Sequence, residues 1–148
     1  MEGEGIRLYE EWVKMVHPQI SKEPIWKFYG YRKALYLFDI VWMDTRNWFS
    51  RDSRAGDLAR QLVRSTGSIS ANLEEGFGRG SGKDKSYHYR VALASARETK
   101  GWIFRSRSLF QSQTLESRLE LVDEIISLIV RELDLQNNRL YRKSSIHS

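Results

Sequence analysis

The sequence predicts an all-α protein, an antiparallel up-down-up-down four-helix bundle with a short N-terminal helical extension. Only two prolines occur, Pro18 and Pro24, so more than a hundred later residues lack the strongest helix breaker. Apolar residues recur there at steps of three and four, and no alternating strand pattern of useful length appears. The 148 residues suit one domain. We divide them into an extension (1–24), the bundle (25–140) and a flexible tail (141–148).

Composition indicates a cytoplasmic protein. Cysteine is absent, which fits a reducing compartment and excludes thiolate chemistry. The first 24 residues contain no continuous apolar run of the kind a signal peptide needs. No stretch approaches the about 20 apolar residues that span a bilayer, so no membrane partner is expected. The net charge of +5 is compatible with nucleic acid binding, but solubility alone could also account for it.

The N-terminal extension carries a short amphipathic helix. Between residues 6 and 16, apolar side chains recur at helical spacing, and the pattern stops at His17 and Pro18. This helix either packs on its own bundle or acts as a latch for another subunit or partner.

The first bundle helix follows Pro24 and is rich in aromatic residues. Its predicted seam consists of Phe28, Tyr31, Leu35, Phe38, Trp42, Thr45 and Phe49, in steps of three and four. An adjacent row consists of Ala34, Leu37, Val41 and Trp48. Together the two rows are wider than one core requires, so part of the second row is a candidate contact with another subunit.

The second helix is predicted to run from a cap at Ser53 to Glu75, with Gly76 as its stop. Its seam is Leu58, Leu62, Ser65, Ile69 and Leu73. Glycine inside a helix costs about 1 kcal/mol relative to alanine, so Gly67 is predicted to permit close approach of another backbone.

The third helix is predicted to begin after Gly82 and the fourth at a cap on Thr114. The third presents the stripe Tyr87, Val91, Ala94, Glu98, Trp102, Arg105 and Leu109, on which Glu98 needs a buried or interfacial partner. The fourth presents Leu115, Leu119, Val122, Ile126, Ile129, Leu133, Gln136 and Leu140. Short loops between such helices favour an antiparallel bundle.

Positive charge is concentrated in the turn after helix two and in helix three. Residues 79–110 hold eight lysines and arginines against two acidic residues, whereas residues 114–138 hold two against six. The eight, our candidate nucleic-acid-binding residues, are Arg79, Lys83, Lys85, Arg90, Arg97, Lys100, Arg105 and Arg107. Arg90, Arg97 and Arg105 could track a phosphate backbone, with aromatic rings nearby for unpaired bases. Alternatively, the row is only a solvated surface.

Catalytic and cofactor motifs are missing from the sequence. The glycine-rich turn after Glu75 departs from a P-loop, because Phe77 stands where its first glycine belongs and Asp84 where it needs Ser or Thr. The three histidines are scattered, which makes a metal site improbable. Glu75 is interpreted as an ion-paired brace beside Arg79 and Lys83. We therefore expect a noncatalytic protein without cofactor or metal.

One group of residues resembles a family motif. It comprises Ser68, Ile69, Asn72, Glu75, Gly76, Gly78 and Arg79, then Ala92, Ser95 and Glu98. This order is similar to the bacterial four-helix-bundle proteins encoded in intervening sequences of 23S rRNA genes, a branch of which serves diversity-generating retroelements as accessory proteins. Glu74 and Ala94 depart from the usual pattern, where a small apolar residue and often glycine stand. The departures concern details of helix contact and not the bundle.

The resemblance implies a ring-shaped homopentamer. In the retroelement branch it also implies a basic barrel that binds nucleic acid and associates with a reverse transcriptase. The role of the rRNA-encoded branch is not established. Our hypothesis is a noncatalytic, basic, pentameric scaffold that binds RNA or DNA and assists a partner enzyme such as that reverse transcriptase. The alternative is a structural oligomer that does not bind nucleic acid.

Overall fold

The protein is all-helical over the residues that its computed structural model describes, which are 2–147, with side chains from Leu8 onward. No strand occurs in this range, so the predicted all-α class is confirmed. The α-helices are α1 (Glu2–Met15), α2 (Pro18–Ser21), α3 (Tyr29–Asp44), α4 (Ser53–Gly78), α5 (Lys83–Arg105) and α6 (Ser112–Ile146). Short 3-10 turns lie at Pro24–Lys27, Trp48–Ser50 and Arg107–Leu109.

The four long helices α3 to α6 form a bundle around one core, in which each helix contacts two others. Neighbours run antiparallel. Ser86 at the start of α5 bonds Gln136 late in α6, while Lys100 near the end of α5 pairs with Asp123 early in α6. In the other neighbouring pairs, too, a residue earlier in one helix contacts a residue later in the other.

The first bundle helix buries the row that the sequence suggested as surplus. Ala34, Leu37 and Val41 are fully buried, and Trp48 is nearly so. Of the predicted seam, Tyr31 and Thr45 are buried, whereas Trp42 is 58% exposed and Phe49 53% exposed. The expectation that part of the second row meets another subunit is therefore wrong, because the core of this chain already covers it.

The same helix ends earlier than its apolar pattern suggested. α3 stops at Asp44, where the Thr45 hydroxyl donates to the Val41 carbonyl at 2.8 Å. The chain then turns through Trp48–Ser50, and the Trp48 ring packs edge-on against Phe110 at 5.2 Å. Phe49 therefore lies in this turn and not on a helical seam.

Helix α4 starts and ends differently from the prediction. Asp52, and not Ser53, caps it: the Ala55 N–H donates to Asp52 Oδ1 at 2.8 Å, which lowers the pKa of this carboxyl. Gly76 does not stop the helix, which continues to Gly78. The predicted seam is otherwise confirmed, with Leu58 partly buried and these residues buried: Leu62, Ser65, Ile69 and Leu73.

The glycine that allows close helix approach is Gly76, and not Gly67. A Cβ on Gly76 would lie 2.7 Å from Tyr89 Cδ1, 2.9 Å from His88 Cβ and 3.0 Å from the Lys85 carbonyl oxygen. A Cβ on Gly67 would meet only the Phe38 ring, at 3.4 Å. The prediction for Gly67 is therefore wrong: its neighbour is a side chain at van der Waals distance, and α5 backbone approaches α4 at Gly76 instead.

Helix α5 is rotated relative to the predicted stripe. Its core face consists of Ser86, Tyr89, Ala92, Ser95, Ala96, Thr99 and Ile103. From the predicted stripe, Tyr87, Ala94 and Arg105 are exposed, whereas Val91, Glu98 and Trp102 are half-buried. The predicted stripe follows the large residues of this helix, whereas α5 packs closely on its neighbours through alanine and serine.

Helix α6 matches its predicted seam best. Val122, Ile129, Leu133 and Gln136 are buried, and Ile125 joins them, while Leu115, Leu119, Ile126 and Leu140 are half-buried. Its start is Ser112, so Thr114 lies inside the first turn and does not cap it. The helix also continues beyond Leu140 to Ile146, where the Ser144 hydroxyl donates to the Tyr141 carbonyl at 2.8 Å.

The N-terminal helix packs on its own bundle. The Trp12 indole N–H donates to Asp39 Oδ2 of α3 at 2.7 Å, and the Tyr9 ring packs edge-on against Tyr36 at 5.3 Å. Of the two alternatives for this segment, intramolecular packing is therefore the one observed. Ile6, the first residue of the predicted amphipathic pattern, lies outside the described side chains.

Helices long and apolar enough to cross a bilayer are lacking between residues 2 and 147.

Candidate nucleic-acid interface

The family-like motif residues form a polar seam between α4 and α5. The hydroxyl oxygens of Ser68 and Ser95 lie 2.8 Å apart. The Asn72 side-chain amide donates to the Ser68 carbonyl at 2.8 Å and lies 3.1 Å from its hydroxyl oxygen. Each of these hydroxyls therefore has a partner in a narrow gap, which fixes the register of the two helices.

Glu98 has the partner that the sequence required, and it lies within the same chain. Both the Trp102 indole N–H, at 2.8 Å, and the Arg64 guanidinium of α4 donate to Glu98 Oε2. These donors favour the charged carboxylate and lower the pKa of Glu98, Trp102 contributing most. Glu98 is thus a bracing residue. Arg64 was missed from sequence, because nothing in the spacing of an exposed arginine names its partner.

The turn after α4 is braced by one ion pair. Arg79 donates to Glu75 Oε1 at 2.8 Å, one helical turn away, and this bond lowers the pKa of Glu75. Gly80 and Gly82 then take positive φ angles of 84° and 85°, which glycine adopts without strain. The predicted brace is present for Arg79, whereas Lys83 makes no ion pair with any described side chain.

The structure separates the eight candidate cations into groups. Lys85 is turned inward over the Phe77 and Tyr89 rings, with its Nζ 5.4 and 5.6 Å from the ring centroids. Lys100 pairs with Asp123 of α6 at 2.7 Å. Together with Arg79, these two side chains are engaged with their own chain.

Three of the cations share one exposed face. Lys83, Arg90 and Arg97 are exposed and have no acidic partner among the described side chains. At about 100° of rotation per residue, they lie within about 40° of one another around α5. We call the surface formed by Lys83, Tyr87, Arg90, Arg97 and Phe104 the outer face of α5.

Arg105 and Arg107 lie at the far end of α5 and are stacked on aromatic rings. The Arg105 guanidinium is 4.8 Å from the Trp102 centroid, and that of Arg107 is 4.5 Å from the Phe104 centroid. Arg105 therefore leaves the line through Arg90 and Arg97 that the sequence predicted, because its side chain folds back over Gly101. Both remain exposed.

Two acidic residues of α6 pair with lysines that lie outside this face. Glu124 lies 3.4 Å from Lys33 of α3, and Asp123 binds Lys100. Arg118 of α6 makes a two-point contact with Asp44 of α3, at 2.6 and 3.0 Å, and both side chains are largely buried. No described acidic side chain pairs with Lys83, Arg90 or Arg97, so the outer face of α5 keeps its positive charge.

We find no alternative metal-binding or catalytic site among the described residues. Among residues 2–147, no three His, Asp or Glu side chains cluster so as to hold a metal ion. One shallow hollow lies beside Trp12, Val16 and Leu35, and another beside Glu74 and Arg79. Neither brings a nucleophile and a base together.

Comparison with known proteins identifies a family and a fold. The family of 23S rRNA-intervening sequence proteins matches residues 28–131. A solved structure from Bacteroides thetaiotaomicron, a protein of unknown function from the S23 ribosomal protein family, is similar with a TM-score of 0.64. That likeness, at 21% identity, covers 71% of this chain and 95% of the other and shows the fold alone. No curated protein matches the chain.

Proposed function

The chain belongs to the 23S rRNA-intervening sequence protein family, and from this premise we propose that it is a noncatalytic scaffold that binds RNA or DNA through the outer face of α5. The observation that carries the proposal is the exposed, unpaired state of Lys83, Arg90 and Arg97 on one helix face. Phosphate contacts of this kind supply most of the sequence-independent affinity of nucleic-acid-binding proteins.

We further propose that the scaffold is a homopentameric ring of up-down-up-down bundles. The exposed aromatic residues Trp42 and Phe49 support self-association, and the half-buried Phe38 stacks on Trp42 with ring centroids 6.2 Å apart. Exposed apolar patches commonly mark protein interfaces. A ring repeats the outer face of α5, so weak contacts at each protomer add up to avidity.

A partner enzyme completes the proposal. The resemblance of the Ser68 to Arg79 motif implies the reverse transcriptase of a diversity-generating retroelement as that partner. The protein's own role is then to hold nucleic acid near the enzyme, which requires charge and shape but no catalytic group. A cytoplasmic location accords with this role.

Salt-dependent binding of an oligonucleotide tests the nucleic acid proposal. We expect the double variant R90Q/R97Q to bind more weakly and its log-log salt slope to fall by about 0.7 to 0.9 for each lost phosphate contact. The matched control is R131Q/R139Q on α6, whose arginines are also exposed. Arg118 is unsuitable as a control, because its substitution breaks the contact with Asp44.

Light scattering tests the assembly, with an expected mass five times the 17.4 kDa of the chain. A monomer at micromolar concentration contradicts the ring.

Equal weakening by both double variants, or no binding by the wild type at about 50 mM salt, favours the structural oligomer that does not bind nucleic acid.

A further inference from the structure

We propose that the ligand of the outer face of α5 is single-stranded nucleic acid, whose bases stack on Tyr87 and Phe104. This inference rests on the proposed function and specifies its substrate class. It starts from two aromatic rings of α5 that are not packed into the core. Tyr87 is 58% exposed and Phe104 56% exposed, whereas the neighbouring Tyr89 and Ile103 fill the core.

The two rings bracket the unpaired arginines along the axis of α5, with Tyr87 turned by about 100° around the helix from Phe104. Arg90, Arg97 and Phe104 follow each other at intervals of seven residues, which nearly superpose on a helix. Tyr87 precedes Arg90 by three residues. At 1.5 Å per residue, Tyr87 and Phe104 lie about 25 Å apart along α5, with both arginines between them. The order is ring, cation, cation, ring.

The stretch between Arg90 and Arg97 is free of bulky exposed side chains, whereas the Arg105 side chain lies over Gly101 between Arg97 and Phe104. The exposed residue between Arg90 and Arg97 on this face is Ala94, so a strand can lie close to the helix there. The Tyr87 ring is contacted edge-on by His88, with centroids 5.2 Å apart. Arg107 lies over one side of the Phe104 ring, and a ring has a second face for a base.

This pattern suits unpaired bases better than a duplex. In a duplex the bases are already stacked on one another, so a straight helix with exposed rings could use only its arginines. A flexible single strand can place phosphates on Arg90 and Arg97 and turn bases onto the rings. Each base stacked on an aromatic side chain contributes enough to change affinity roughly fivefold to more than a hundredfold.

The test compares three oligonucleotides of equal length at one salt concentration: a single strand, a duplex, and a single strand with abasic sites that keeps its phosphates. We expect the wild type to bind the normal single strand most tightly. The variant Y87L/F104L should lose about tenfold or more of that affinity, while its salt slope and its affinity for the abasic strand stay unchanged. The control Y141L, which removes an exposed ring from α6, should bind as the wild type does.

Failure of this inference can be told apart from failure of the proposed function. If the wild type binds all three ligands equally and Y87L/F104L binds as tightly, the rings do not stack bases and the face is purely electrostatic. Tighter binding of the duplex likewise overturns the inference. Absence of binding to any ligand removes the nucleic acid function itself. The comparison of normal and abasic strands uses the wild type alone and does not depend on the folding of a variant.

Discussion

The α4–α5 seam and the α1–α3 contact hold helices together in opposite ways. Across the seam, small and hydroxyl-bearing residues such as Ser68, Gly76 and Ser95 let the backbones approach closely. Between α1 and α3, large rings such as Tyr9 and Trp12 fill a wider gap. A close seam tolerates almost no added volume, whereas a wide aromatic contact can adjust its rings.

The two contacts also differ in whether they lie within the family match. The family match covers residues 28–131, which include the whole seam and leave out α1. The polar seam positions α5, and with it Arg90 and Arg97, relative to the rest of the bundle. The aromatic contact only attaches an extension to the outside of α3. Changes in the seam should therefore unfold the bundle, and changes in the aromatic contact should release one helix.

The largest effect is expected from adding one methyl group to the seam. Gly76→Ala places a Cβ within 3.0 Å of backbone and of Tyr89, and such overpacking costs about 1–3 kcal/mol. Gly67→Ala is the matched control in the same helix, and its Cβ fits at 3.4 Å from Phe38. We expect this control to gain up to about 1 kcal/mol from helix propensity. Urea unfolding measures both, and a G76A protein as stable as G67A contradicts the close approach at Gly76.

The sequence identified the seam more reliably than it identified the surfaces. Ser68, Asn72 and Ser95 could be singled out because their order resembles a family motif. Close approach is predicted at Gly67 and a helix stop at Gly76, whereas the structure places the close approach at Gly76. Only the position of the neighbouring helix decides which helical glycine it meets. Local spacing carries no information about that neighbour.

The sequence also left open how a helix is rotated about its own axis relative to the core. The sequence shows two apolar rows on α3 and predicts that the row with the larger rings forms the core seam. The structure buries Leu37 and Val41 and leaves Trp42 outside. Likewise, the eight candidate cations were evident from composition, yet their free or paired state depends on acids from distant helices, such as Asp123 for Lys100.

A smaller and local effect is expected from the aromatic contact. Trp12→Phe keeps a ring but removes the N–H that donates to Asp39, a loss of about 0.5–1.5 kcal/mol. We expect faster hydrogen exchange in residues 8–15 with the melting of the bundle unchanged. Asp39→Asn is the control, because an amide oxygen still accepts the bond. A cooperative loss of stability across α4 and α5 would mean that α1 is an integral part of the core.

The smallest effect is expected at Glu98, at the contact of α4 with α5, and it depends on pH. Donors from Trp102 and Arg64 lower the pKa of Glu98 in the folded protein, so its contribution is present above the ordinary glutamate pKa of about 4.3 and is lost as pH falls through the folded value. Because Glu98 is 39% exposed, solvent screening limits this contribution to about 1 kcal/mol or less. Glu98→Gln should therefore be less stable than the wild type at pH 7, and the gap should close as the pH falls from about 5.

Thermal melting at several pH values measures that gap for Glu98→Gln and for the control Glu116→Gln. Glu116 is exposed on α6 and makes no ion pair with any described side chain. The control should follow the wild type at every pH, because its carboxylate has no donor to lose. If the gap for Glu98→Gln stays constant down to about pH 3, then the charge of Glu98 contributes nothing. The polar seam would then be held by its hydroxyl and amide bonds and by close packing at Gly76 alone.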